Sequence, residues 1–229
     1  MGLRTLVLNG EFSAGSRLPE VSLSETLGVS RTPLRQAMGR LVEEGLLSRI
    51  ETGGCRVVSF TMAEIMDAIE IRGVIEGTAA RLASERGLSM ELQKEGHKIL
   101  ALLDKAVENP AQLDFDTYVH GNAKFHQLIG RLAGSKVISK EVERVSKLPL
   151  ASPSAFLQGQ ELVPDFQESL KMAQSQHRAI FEAIENREGA RAEALSREHA
   201  RLARKNLDFV ILRKPNLINR VPGLALVAT

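Results

Sequence analysis

The 229-residue chain has a single cysteine, Cys55, so no internal disulfide can brace it. One lone thiol fits a reducing compartment. No apolar run approaches the roughly 20 residues that cross a bilayer, and no basic stretch followed by a long apolar one opens the chain. These absences predict a soluble cytoplasmic protein with no membrane partner. A dominant charge is missing as well: 30 Lys and Arg face 28 Asp and Glu, leaving a formal net charge of +2. Such a balance neither demands nor forbids nucleic acid, because binding depends on a local basic surface. There is no fixed-length repeat and no low-complexity segment. Residues 1–60 lack histidine altogether, and all five histidines lie beyond them.

What is present falls into two textures, and the predicted fold is mainly α. Residues 1–60 are short and punctuated. A helical stub around Leu3, Leu6 and Val7 leads through Gly10 to the turn-rich "SAGSRLPE". "VSLSETLGV" reads as a short helix capped by Ser22 and closed by Gly28. The next helix sets Leu34, Met38, Leu41 and Val42 on one side at three- and four-residue spacing, with Gly45 ending it. "LLSRIETGGCRVVSF" then alternates on both sides of Gly53 and Gly54, as a two-stranded hairpin does. Three helices and a hairpin make a winged helix-turn-helix. From Thr61 onward the periods lengthen into an all-α bundle of about six helices, near 62–86, 89–108, 112–133, 135–150, 165–186 and 189–212. A broken connector, "LPLASPSAFLQGQELVP", interrupts them. The expected domains are residues 1–60, residues 61–213 and a tail, 214–229, with no evident role.

"GVSRTPLRQAMGRLVEEGLL" carries the chemistry of the first domain. Thr32 followed by Pro33 marks a helix start, since a hydroxyl can accept from an orphan amide and proline suits the first turn. Arg31 then stands at the tip and Arg35 one turn on, opposite the apolar ladder. A helix entering the major groove needs this arrangement, its amino-terminal side chains reaching base edges while its amides favour phosphate. An arginine bridging guanine O6 and N7 gives about 1–3 kcal/mol of discrimination. An ordinary surface helix with solvated arginines is the plainer alternative. The short helix before it and the glycine-tipped hairpin after it favour DNA.

"LPEVSLSETLGVSRTPLRQAMGRLVEEGLL" followed by "GGCRVV" resembles the amino-terminal domain of GntR-family transcriptional regulators over residues 3–59. The resemblance implies DNA contacts at Ser30, Arg31, Thr32 and Arg35, with a wing at Gly53 and Gly54 entering the minor groove. Ala14 stands where the family usually has proline, and Gly53 where it often has a basic residue. The first helix is short for the family, as in a chain whose natural start lies upstream.

In the second domain, inward stripes sort the histidines. Phe115, Val119, Asn122, His126, Ile129 and Ala133 share one helix face; Phe166, Leu170, Ala173, His177, Ile180 and Ile184 share another; Ala192, Leu195, His199, Leu202 and Asn206 a third. His97 and His120 fall off the stripes, as surface residues do. A lone inward histidine is usually a core residue with a partner, but three from separate helices are how bundles build metal sites. This arrangement resembles the FCD effector domain of the FadR subgroup of GntR regulators, over about residues 61–212 and in its shorter, VanR-like form. In that domain an Asp and three His hold a divalent metal, zinc or nickel. The resemblance implies Asn122, His126, His177 and His199 as ligands, with Asn122 replacing the usual Asp. A neutral amide is a weaker ligand and leaves the ion's charge uncompensated, a balance an anionic effector would supply.

Arg72 and Glu76 stand four residues apart on the stripe Ile65, Ile69, Arg72, Glu76, Ala79 and Ala83. They read either as an intrahelical ion pair, which the spacing favours, or with Arg72 clamping an effector carboxylate beside His126, His177 and His199. The function expected is a dimeric, ligand-responsive regulator on an inverted-repeat operator, tuned by a small organic acid or related metabolite. A metal-dependent enzyme is the second reading, against which the sequence lacks H-E-x-x-H, a paired Glu-x-x-His and an obvious general base. The third is a constitutive DNA binder with an inactive pocket.

Overall fold

In the computed structural model the described residues are 2–109, 113–148, 150–154, 157, 164–213 and 221–228. Most of the 148–164 connector, and residues 214–220 of the tail, lie outside them. The first domain opens with α1 (Leu3–Leu8), β1 (Arg17–Leu18), α2 (Glu20–Leu27) and α3 (Arg31–Glu43). The wing follows as β2 (Leu47–Arg49) and β3 (Cys55–Val57). The expected hairpin gains a third strand from the connector. The order is β1-β3-β2, antiparallel, with Leu18 opposite Cys55 and Leu47 opposite Val57. Leu18, Leu34, Met38, Leu41, Leu46 and Val57 close one core beneath these elements. The ladder expected on α3 is therefore the buried face.

Two helix starts differ from the expectation. Pro19, not Ser22, caps α2; Ser22 lies inside the first turn, its Oγ donating to the Pro19 carbonyl at 3.3 Å. Ser30, not Thr32, caps α3, and neither hydroxyl makes a side-chain cap bond. Pro33 becomes the third helical residue, a place where the amide that proline lacks has no intrahelical partner anyway. Gly28 and Gly45 follow the two helices at φ +63° and +76°, the left-handed region open to glycine.

The second domain holds α4 (Met62–Arg86), α5 (Met90–Val107), α6 (Phe115–Leu132), α7 (Lys136–Ser146), α8 (Pro164–Glu185) and α9 (Gly189–Arg213). Oxygen ligands start several of them. Thr61 and Glu64 form a reciprocal capping box on α4, while Ser89, Asp114 and Ser135 accept amides of α5, α6 and α7. Helices α4 and α9 pack against each other with Gly73 and Gly77 of α4 facing α9. A Cβ at Gly73 would stand 3.0 Å from Ala200 Cβ, and one at Gly77 3.0 Å from the Glu193 carbonyl. That approach sets Arg72 and Glu76 against the helix that carries His199. Leu103, Tyr118, Phe125, Leu128, Leu170 and Phe181 are among the buried side chains of the main core. Among the described residues, no helix is long and apolar enough to cross a membrane.

Gly96 on α5 tests this packing, since a Cβ there would overlap the ring of Phe181. Gly96→Ala is expected to lose about 1–3 kcal/mol through overpacking, although alanine is the better helix former by about 1 kcal/mol. The urea midpoint measures the outcome, and an unchanged or higher midpoint would contradict the packing described.

Candidate functional site

The amino-terminal turn of α3 is open to solvent. The side chains of Arg31 and Arg35 are 57% and 58% exposed and converge on one carboxylate, with Arg35 Nε 2.5 Å and Arg31 Nη2 3.9 Å from Glu20 Oε2. Glu20 thus holds the two guanidiniums together on one side of the helix. Ser30 and Thr32 beside them are exposed. At the wing, Gly53 and Gly54 turn the chain at φ +94° and +83°. The Gly53 amide donates to the Ile50 carbonyl at 2.9 Å. Sequence reasoning found no basic group at this tip because it considered only the wing's own residues. The β1 residue Arg17 supplies one through the sheet, its Nη2 donating to the Gly53 and Thr52 carbonyls at 3.0 and 3.4 Å.

Within the bundle, α6, α8 and α9 bring His126, His177 and His199 together, all three buried. His177 Nε2 lies 3.0 Å from His199 Nε2, which lies 3.3 Å from His126 Nε2. The opposite nitrogens explain the orientation. His126 Nδ1 is 3.0 Å from Glu76 Oε1, His177 Nδ1 3.1 Å from Gln174 Oε1, and His199 Nδ1 3.1 Å from Gln176 Oε1. The Gln174 amide cannot be reversed without cost, because its Nε2 donates to the Leu100 carbonyl at 3.1 Å and Asp104 Oδ1 at 2.7 Å. The Glu76 carboxylate and the anchored Gln174 amide keep the proton on Nδ1 of His126 and His177 and leave Nε2 as a bare lone pair, and His199 takes the same form with Gln176 Oε1 facing its Nδ1. Burial pushes the His177 and His199 imidazoles well below their ordinary value, and the nearby Arg72 guanidinium pushes the same way. Three lone pairs aimed at one another repel unless a cation sits among them. The donor set therefore fits a divalent metal of nitrogen-ligand preference.

Glu76 ties this cluster to α4. Burial alone would raise its carboxyl, but the Arg72 guanidinium and the hydrogen bonds from His126 and Arg72 outweigh that and hold it below the usual range. Arg72 Nη1 lies 3.6 Å from Glu76 Oε2, so the i,i+4 pair forms, though in the core and not on the surface. Arg72 is poorly satisfied there: Nη2 donates to the Ala200 carbonyl at 3.3 Å, and Nε has no partner among the described residues. Asn122 is buried near the cluster. Its Nδ2 donates to the Pro153 carbonyl at 3.0 Å and Ser154 Oγ at 3.4 Å, leaving Oδ1 out of both bonds.

Two spaces border the histidines. A cavity of about 610 Å³ is bounded by His126, Gln127, Arg131, Lys147, Ser152 and Ser154, among others. A void of about 30 Å³ touches Arg72, Tyr118, Asn122, His199 and Asn206. The four residues expected to meet an effector are thus divided: His126 faces the larger space, Arg72 and His199 the smaller, and His177 neither. Sequence reading missed Gln174 and Gln176. Gln174 is three residues before His177 on one helix face, and that spacing is the signal that could have found it. His97 and His120 are exposed, as expected.

Comparison with known proteins gives this geometry its context. Residues 67–202 match the FCD domain, and residues 2–57 match the bacterial regulatory proteins of the gntR family. An uncharacterised HTH-type transcriptional regulator of Bacillus subtilis, YdhC, is 31% identical over 147 residues, a stretch spanning 64% of each chain. The Glc operon transcriptional activator of Escherichia coli is 24% identical, with 94% of this chain and 90% of that one covered. The E. coli transcriptional repressor GlaR is 27% identical over 86% of this chain and 88% of its own. Among solved structures, E. coli McbR/YncC shares the fold at a TM-score of 0.62 and 20% identity, covering 91% of this chain and 93% of that one. These named relatives are transcriptional regulators, not enzymes. The chain belongs to the gntR family of bacterial regulators, in the FadR subfamily that joins a helix-turn-helix head to an FCD domain.

Proposed function

We propose that this transcriptional regulator works in the cytoplasm as a homodimer on an inverted-repeat operator, and that a small organic acid or related metabolite tunes its grip. The observation that carries the reading is the triad of Nε2 atoms, each fixed by an acceptor at Nδ1. His126, His177 and His199 would hold a divalent metal, zinc or nickel, with Asn122 Oδ1 as the fourth protein donor. When bound, the ion supplies a centre of positive charge that no ligand in this set neutralises. Glu76 does not change that balance, because Arg72 cancels its charge. An anionic group entering the 610 Å³ cavity beside His126 would complete it, in a space that Ser146, Ser152 and Ser154 also line. Arg131 and Lys147 already carry partners, Glu95 and Glu143, and serve there as walls.

The DNA reading assigns base and phosphate contacts to Ser30, Arg31, Thr32 and Arg35, and a minor-groove approach to the wing at Gly53 and Gly54. Its support is the exposed arginine pair at the start of α3, opposite a fully committed apolar face. Two-fold symmetry would match two such helices to the half-sites of a palindrome. An effector that favours one arrangement of the heads changes DNA affinity by its own difference in affinity between the arrangements.

Three outcomes are expected. Arg35→Ala loses about 1–3 kcal/mol of discrimination for its operator while the fold stays intact; equal sequence preference in binding assays at matched salt would refute the assignment. Gln176→Ala weakens Zn²⁺ binding by about 10–100-fold, because His199 loses the acceptor that fixes its tautomer; competition with a chromophoric chelator measures it, and parental affinity would overturn that role. Zn²⁺ with a panel of carboxylic acids raises the melting temperature further than Zn²⁺ alone. A panel in which no acid adds to the shift would contradict the anionic effector.

A further inference from the structure

The chain's last described segment, residues 221–228, belongs to neither domain alone. Val221 and Leu224 are buried in a small apolar cluster with Ile65 and Ile69 of α4 and Ala203 and Leu207 of α9. Leu226, two residues on, is wholly buried in the core of the head with Leu3, Val7 and Leu34. The backbone is fastened to the head side of the domain junction, while apolar packing holds the bundle side. The Phe60 amide donates to the Leu226 carbonyl at 2.9 Å, the Ala228 amide to the Phe60 carbonyl at 2.8 Å, and the Gly223 amide to the Leu8 carbonyl at 2.6 Å. Phe60 and Val227 thus form a parallel bridge at the residue where the head becomes the bundle.

Close approach has dictated the residues. A Cβ at Gly10 would lie 2.6 Å from Ala225 Cβ, and one at Gly223 would overlap the Leu150 side chain. Gly223 also stands at φ +91°, where other residues are strained. Elsewhere the junction is loose. A cleft of about 380 Å³ separates α3 from α7, lined by Arg40, Glu43, Glu44, Lys140, Arg144 and Lys147. Domains that meet through charged, open boundaries rotate against each other by default. Among the described residues, the apolar, hydrogen-bonded contact at this junction is made by the 221–228 segment together with Phe60, which packs against both clusters.

We propose that residues 221–228 are a strap that locks the DNA-binding head to the bundle in one orientation and carries the position of α9 to it. The route is short: His199, Ala203 and Leu207 lie one turn apart along α9, and the strap rests on the last two. A displacement of α9 at the histidines moves the strap, and the strap moves Leu226 inside the head. The locking half stands on the packing alone, whereas the transmission half rests on the metal reading given above.

The test compares the full chain with two variants, Gly223→Val and a chain ending at Arg220. Gly223→Val unseats the strap and leaves all other residues of both cores intact; the truncation removes it. Nitrogen-15 relaxation reads the tumbling of each domain, and hydrogen exchange reads the Phe60 amide. The full chain should give one correlation time and a protected Phe60. Both variants should give a faster-tumbling head, an exposed Phe60 and unchanged protection of the amides inside α3 and α4. A head that still tumbles with the bundle in the truncated chain overturns the lock. So does a head that unfolds on truncation while Gly223→Val tumbles as one body, since the segment is then head core and not a link. Zn²⁺ alone is the probe for transmission: it should shift α1 amides in the full chain and not in the variants. Equal α1 shifts in all three, or shifts confined to the bundle, overturn the route. If Zn²⁺ shifts no amide anywhere, the metal reading has failed and the tumbling result alone decides the lock.

Discussion

The bundle is organised around a buried carboxylate. Glu76 touches Arg72 on its own helix and His126 on α6, and each of these three groups would be expensive to bury alone. Together they exchange lost hydration for mutual contacts, and the exchange holds only while α4, α6 and α9 keep their spacing. Gly73 and Gly77 provide that spacing by letting α9 close on α4. Removing the carboxylate would strand the Arg72 guanidinium in the core with, among the described residues, only the Ala200 carbonyl at hydrogen-bonding distance. A buried pair of this kind is often no more stabilising than apolar residues of equal volume. What it provides is a fixed orientation for His126, and through it a fixed meeting point for three rings.

That meeting point was visible in the sequence only as a projection. The stripes through His126, His177 and His199 were legible because helical periodicity converts spacing into direction, and long helices repeat the signal many times. The partners at Nδ1 were not. Glu76 was seen only as the neighbour of Arg72, because i,i+4 spacing reveals contacts within a helix and is silent about the helix packed opposite. Gln176 holds a histidine on another helix, and no local pattern encodes that. The division of the expected effector residues between two spaces was hidden for the same reason: a face can be read from one helix, a cavity only from several.

The shorter elements show the limit from another side. The ladder on α3 was correct, yet its start moved from Thr32 to Ser30, since in S-R-T-P several residues can begin a helix and proline is accepted anywhere in the first turn. The strand at Arg17 and Leu18 carries too few residues to show alternation and exists because Arg56 and Cys55 on the wing offer it an edge. The strap was illegible altogether. A run such as "VPGLALVA" reads as apolar and broken, and its place is set by a groove made from residues 3–60, 65–69 and 203–207.

The electrostatics of the head bear on selectivity. Residues 1–60 contain seven arginines, six glutamates and no lysine, which is close to neutral for a surface meant to meet phosphate. Several of those arginines are already engaged: Arg4 with Glu44, Arg17 and Arg56 with backbone carbonyls, Arg31 and Arg35 with Glu20. On the proposed DNA reading, a head with few free cations would release few counterions on generic duplex, and its sequence-independent affinity would be low. Contact with a base edge must then compete with Glu20 for the same guanidiniums. A guanine offering two acceptors in the plane of Arg35 would win that competition more readily than a single phosphate oxygen, because its two acceptors match the planar fork. On the DNA reading proposed above, Glu20 would act against indiscriminate binding while presenting the two side chains as a pair, and the near-neutral head would become a means of selectivity.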